Sequence, residues 1–136
     1  MEKAIPIETD HLGILNGRDC IYLDTVQQND IDDLTFEGDI NGSLVSKRKD
    51  EKEWFSYKLT FKRVIAYFAC ELDTYENLAG AGHLETSCFD LIEESTWLHS
   101  LPIRKDFDKA IYKHYRLFTY DMVYNIIAVS YVIISE

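Results

Sequence analysis

Cysteine is scarce. Cys20, Cys70 and Cys88 make three, and none lies at metal-ligand spacing from another. This argues against a disulfide scaffold and against a local zinc motif. Long apolar runs are missing too. Nothing approaches the roughly 18 consecutive residues of a membrane span. Met1 to Pro6 carries Glu2 and Lys3 and has no hydrophobic signal core, so a cytoplasmic protein with reduced thiols is expected, with no membrane partner. Basic residues are outnumbered, 14 Lys and Arg against 24 Asp and Glu, for a formal charge of −10. A general nucleic-acid binder needs a basic footprint, so no direct nucleic-acid partner is expected.

Apolar and aromatic residues, by contrast, are plentiful. Hydrophobic residues are 46% and aromatics 13% of the 136, too many for a disordered acidic chain. The length fits one domain, 1–136, with 1–18 reading as a loosely organised N-terminal leader. Such a chain buries roughly 68% of its unfolded surface, enough for a core without staples.

Strand signals dominate. Cys20 to Val26 is rich in strand formers. Residues 34–46 hold two short apolar runs around Asn41-Gly42, a strong hairpin signal that outweighs the glycosylation sequon of Asn41-Gly42-Ser43. Phe55, Tyr57, Leu59 and Phe61 alternate with Ser56, Lys58, Thr60 and Lys62, the period of a half-buried strand. The pattern slips at Lys62-Arg63-Val64, where a bulge or tight turn is expected. Beyond it, Val64 to Leu72 reads as a more central strand. Thr74 to Glu85 reads as loop, 87–93 as a short strand, and Ser95 to Leu101 as a helical turn stopped by Pro102. Tyr112 to Tyr120 and Met122 to Ser135 read as strands, the second apolar on both faces and therefore central. The expected fold is mainly β, an antiparallel sandwich or strongly curled sheet with one short helix, with α+β as the alternative.

Chemical motifs are few. Gly80-x-Gly82 is too short for a phosphate loop. His83-x-Glu85 lacks the downstream cysteines of a zinc deaminase, and a zinc set of His83, Glu85 and Cys88 is outweighed by an ordinary polar loop. Cys88 with His99 or His114 leaves a nucleophile conceivable. So do the acid pairs Asp32-Asp33 and Glu93-Glu94 and the acids Asp106 and Asp108 for an enzyme of unknown class. No catalytic residue, metal or cofactor is assigned.

Charge distribution is more informative. Between Asp19 and Ser46 there are seven acids, Asp19, Asp24, Asp30, Asp32, Asp33, Glu37 and Asp39, and no Lys or Arg. The remaining seventeen acids and fourteen bases nearly balance. If the interval forms strands of one sheet, its acids make an acidic face able to steer a basic protein. A second expectation is a small-molecule pocket lined by Trp54, Tyr57, Tyr67 and Trp97.

The C-terminal half adds a resemblance. Ser87-Cys88-Phe89-Asp90-Leu91-Ile92-Glu93-Glu94-Ser95-Thr96-Trp97-Leu98, then His114 to Asp121, then Tyr124-Asn125-Ile126-Ile127-Ala128 with Tyr131, resembles small uncharacterised bacterial proteins, some of them read as immunity proteins of polymorphic toxin systems. The likeness covers about the last fifty residues, and Asn125 stands where an acidic residue is expected. It implies a cytosolic bacterial inhibitor that binds and blocks a cognate toxin, many such toxins being basic nucleases. It carries over no site residue.

Overall fold

The computed structural model describes residues 2–29, 32–47, 53–79 and 87–135. Over these residues the protein is mainly β, with two antiparallel sheets and two short α-helices. Its strands are β1 (Lys3–Pro6), β2 (Ile21–Gln28), β3 (Leu34–Asn41), β4 (Trp54–Lys62), β5 (Ala66–Glu71), β6 (Phe89–Glu93), β7 (Lys113–Phe118), β8 (Met122–Ala128) and β9 (Ser130–Ser135). The helices are α1 (Leu72–Ala79) and α2 (Thr96–Ser100). One sheet runs β1-β6-β7-β8-β5 and the other β2-β3-β4-β9.

The inner faces pack against each other as a sandwich. Alternation on β3 and β4 sends Phe36, Ile40, Phe55, Leu59 and Phe61 inward. Phe36 meets Tyr124 with ring centres 4.9 Å apart, and Phe61 meets Phe89 at 6.0 Å and Tyr115 at 5.3 Å. Tyr131 of β9 closes the cluster against Phe89 at 5.1 Å. The edge-to-face pairs among these, Phe36–Tyr124, Phe61–Phe89 and Phe89–Tyr131, add about 0.5–1.5 kcal/mol each beyond the area they bury.

The slip at Lys62-Arg63-Val64 is a corner. Arg63 takes φ of 57°, and the chain leaves the four-stranded sheet for the other one. The return crossing lies beside it at Val129, whose N–H donates to the Lys62 carbonyl at 3.0 Å. The stretch 122–135 is therefore two strands. β8 is central and buried on both faces, as expected, but β9 is an edge strand of the opposite sheet. β5 is also an edge rather than a central strand, with Tyr67 and Phe68 exposed. Its apolar character serves the cover over its sheet, described below.

Three further expectations change. Asn41-Gly42 makes no tight hairpin. The Asn41 side chain accepts from the Ser43 N–H at 3.1 Å and caps a single 3-10 turn, Gly42–Leu44. The first eighteen residues are anchored rather than loose: β1 pairs with β6, and Leu12 and Leu15 are buried in the core. α1 occupies part of the stretch read as loop. The strand at 87–93 and the helical turn after Ser95 are present as β6 and α2, the turn capped by the Ser95 hydroxyl accepting from the Leu98 N–H at 3.0 Å.

Candidate functional site

The acidic interval folds into the approach to β2, β2 itself and β3. On β3, alternation places Thr35, Glu37 and Asp39 on the solvent face and Leu34, Phe36, Gly38 and Ile40 on the core face. Asp24 lies at an irregularity where the register between β2 and β3 shifts. Gly38 is required there, because a Cβ would run into the Tyr22 carbonyl. Asp19, Asp24, Asp32, Glu37 and Asp39 are exposed. Asp30 lies outside the described residues.

Asp33 departs from the expected face. It is buried, and its carboxylate takes the Lys62 ammonium at 2.8 Å and the Arg63 N–H at 3.3 Å. Burial alone would raise its pKa. The Lys62 and Arg63 bonds outweigh burial and hold the carboxyl below its ordinary value. Asp33 is thus a fastener of the sheet corner. Nor is the face acidic throughout. Glu37 stands opposite Lys58 of β4, and β9 beyond contributes Val132 and Ile134. The face grades from acidic to mixed to apolar across four strands.

At one end the acids join an aromatic group. Tyr22, cross-strand from Asp39, stacks on Tyr120 at 5.0 Å and meets Trp54 edge-on at 5.3 Å. Tyr120 reaches it from the β7–β8 turn, whose backbone N–H donates to the Ile21 carbonyl at 2.9 Å. Desolvation and the nearby Asp19 carboxylate push the Tyr22 hydroxyl above its ordinary pKa. Trp54 and Tyr120 keep 44% and 48% of their surface, so the group is presented to solvent. The Tyr22–Tyr120 pairing was not legible in the sequence, because it needs a turn about a hundred residues away.

The four residues expected to line one pocket do not meet. Trp54 is on this outer face and Tyr57 is buried between the sheets. Tyr67 is on the β5 edge, bonded to Gln28 at 3.4 Å, and Trp97 is on α2. Alternation puts Trp54 and Tyr57 on opposite faces of β4, and tertiary packing separates the others.

A second polar assembly lies on the outer face of the five-stranded sheet. β6, β7 and β8 align Asp90, Arg116 and Asn125 across neighbouring strands. Arg116 bonds Asp90 at 3.2 Å, with both side chains buried. Ser95 meets His114 Nδ1 at 2.7 Å, and His114 Nε2 meets Asn125 Oδ1 at 2.7 Å. With the Asn125 oxygen accepting, Nε2 carries the proton and Nδ1 accepts from the Ser95 hydroxyl. Desolvation lowers the His114 pKa and keeps the ring neutral at pH 7. Trp97 covers the ring at 5.2 Å and also meets Phe68 at 5.2 Å. A serine, a neutral histidine and an orienting amide form a relay in outline. Here the serine oxygen is already bonded to Leu98 N–H and His114 and is buried, which suits anchoring α2 to the sheet. An open cleft of about 810 Å³ beside it is lined by Glu93, Ser95, His99, Lys109, Lys113 and His114, among others.

Cys88 is buried beside Cys20. Burial, with Cys20 second, pushes its thiol well above the ordinary value, the opposite of an activated nucleophile. His83, Glu85 and Gly80 to Gly82 lie outside the described residues. Among the described residues, no group of three or more His, Cys, Asp or Glu side chains could hold a metal, and no helix is long and apolar enough to cross a membrane. No family model, curated protein or solved structure matches this chain.

Proposed function

We propose that the protein binds a basic protein partner through the β2–β3 end of its four-stranded sheet. The observation that carries this reading is the exposed Tyr120–Tyr22–Trp54 group sharing one face with Asp39. Aromatic rings with adjacent carboxylates suit Arg and Lys. The carboxylates pair with the charge, and the rings take the cation on their faces and bury its aliphatic stem. Tyr and Trp also supply large contact area at low entropic cost, and such residues recur among binding hot spots. The exposed acids Asp19, Asp24 and Glu37 widen the attraction and speed encounter.

The most concrete form of this function is an immunity-type inhibitor in the bacterial cytoplasm that covers a basic toxin. The acidic balance and the sequence resemblance support that form. The test is affinity capture from lysate of the source organism, at low and high salt, with wild-type protein and a charge-reversed variant at Asp24, Glu37 and Asp39. A basic protein held by wild type, weakened by salt and lost with the variant is the expected result. Retention of the same protein by the variant would overturn the role of this face.

A further inference from the structure

Among the described residues the two sheets end in four edge strands, β1 and β5 in one and β2 and β9 in the other. An edge offers unpaired N–H and C=O groups to any passing strand, and folded proteins blunt it with short length, proline, charge, bulges or cover. β1 is four residues long and contains Lys3 and Pro6. β2 has Asp24 at its register shift. β5 ends in Glu71, continues directly into α1, and has Trp97 over Phe68. β9, Ser-Tyr-Val-Ile-Ile-Ser, pairs with β4 without a bulge. It contains no charge and no proline, and among the described residues no strand pairs with its outer side. Val132 and Ile134 point away from the core at 47% and 56% exposure.

We propose that the β9 edge is the seam of a two-fold homodimer, in which two copies join their four-stranded sheets into one of eight strands. The strand is self-complementary in antiparallel pairing. A register centred on Ile133 sets Ile133 against its own copy and Val132 against Ile134 of the second copy, on the same outer face. Directly opposed β-branched residues are favourable cross-strand pairs, and the free backbone groups of both edges become satisfied. A closed isologous contact leaves no further edge of this kind to propagate.

Charge permits this seam and opposes a face-to-face one. β9 is neutral. The two acidic β3 strands end five strand spacings apart, about 24 Å at the usual 4.8 Å, well beyond the ~8 Å screening length. Pairing through the Tyr22 face would instead bring Glu37 and Asp39 against their own copies. In the β9 dimer that face stays open at both ends of the joined sheet, so the seam stands independently of the partner-binding reading.

Light scattering and sedimentation of the full chain across the micromolar range test the seam. The expected mass is twice the 15.9 kDa of the chain. Val132→Lys and Ile134→Lys, both at exposed positions, should each weaken dimerisation at least tenfold while retaining the β circular-dichroism spectrum. Amide exchange of Tyr131 to Ser135 in wild type should slow as concentration rises, a readout that stands even if a lysine variant misfolds. A monomeric wild type would overturn the proposal. So would a dimer that survives both lysine variants, or one without concentration-dependent protection at β9.

Discussion

On the outer face of the β2-β3-β4-β9 sheet, Glu37 and Asp39 stand in water. On the outer face of the other sheet, Asp90, Arg116 and Asn125 occupy equivalent cross-strand positions and are buried. The same alternation produced both rows. The difference lies in their surroundings: Trp97 of α2 rests on Phe68 and His114, the neighbours of Asn125, Arg116 lies over the Phe118 ring, and the three polar side chains have lost water. A charge in such a place is tolerable only when paired and hydrogen-bonded. The open face has no such requirement and is free to serve a partner. The aromatic group there, exposed and beside carboxylates, is what a covered face could not offer.

The largest test of this contrast is charge removal on each face. Arg116→Leu leaves the Asp90 carboxylate buried without its cation and should cost about 3–5 kcal/mol. Asp39→Asn should change stability by no more than about 0.5 kcal/mol. Urea denaturation of both variants checks the pair, and equal costs would erase the distinction.

His114→Leu comes next. It strips a partner from Ser95 and from Asn125, at about 1–3 kcal/mol for each group left unsatisfied. The wild-type ring also has a defined pH signature. Its folded pKa is lowered, so the unfolded chain takes up the proton first as pH falls. Stability is therefore full above about 6.5, the unfolded value, and declines as pH drops toward the lower folded value. Melting temperatures measured through that window should decline for wild type by more than for His114→Leu.

Asp33→Asn is a smaller effect of the same sign, about 1–2 kcal/mol at neutral pH for loss of a charge-assisted bond. The carboxyl is held below its ordinary pKa, so its contribution is present above about 3.9 and is lost as pH falls through the folded value. Wild type and variant should converge in acid. A gap that persists there would mean that the Lys62 pair is not its source.

Trp54→Ala joins a moderate effect on stability to a large one on binding. The ring is 44% exposed, so loss of its covered half should cost about 1–3 kcal/mol. A captured partner should bind at least about 2 kcal/mol more weakly if Trp54 is a hot spot. Titration calorimetry with that partner would separate the two.

Residue order alone made several features legible. Phe55, Tyr57, Leu59 and Phe61 recur at period two, and a pleated strand has no other way to bury them together. The helical turn from Ser95 to Leu101, stopped by Pro102, is set by neighbouring residues, and the structure adds the Ser95 cap from within the same segment. The acidic interval is local and survives any topology. Other outcomes depended on neighbours far along the chain. Asp33 reads as one more surface acid until Lys62, twenty-nine residues on, arrives beside it. Val64 to Leu72 and Met122 to Ser135 both read as central strands, because apolarity reports burial and not what does the burying. Trp97 supplies part of that cover for β5, and the corner at Val129 sends β9 to the opposite sheet. Asn41-Gly42 could have made a hairpin, but β3 had already found β2 and β4. Local pattern fixes which atoms need to leave water. Only the assembled sandwich decides which side they leave by, and which polar groups must be paired when they do.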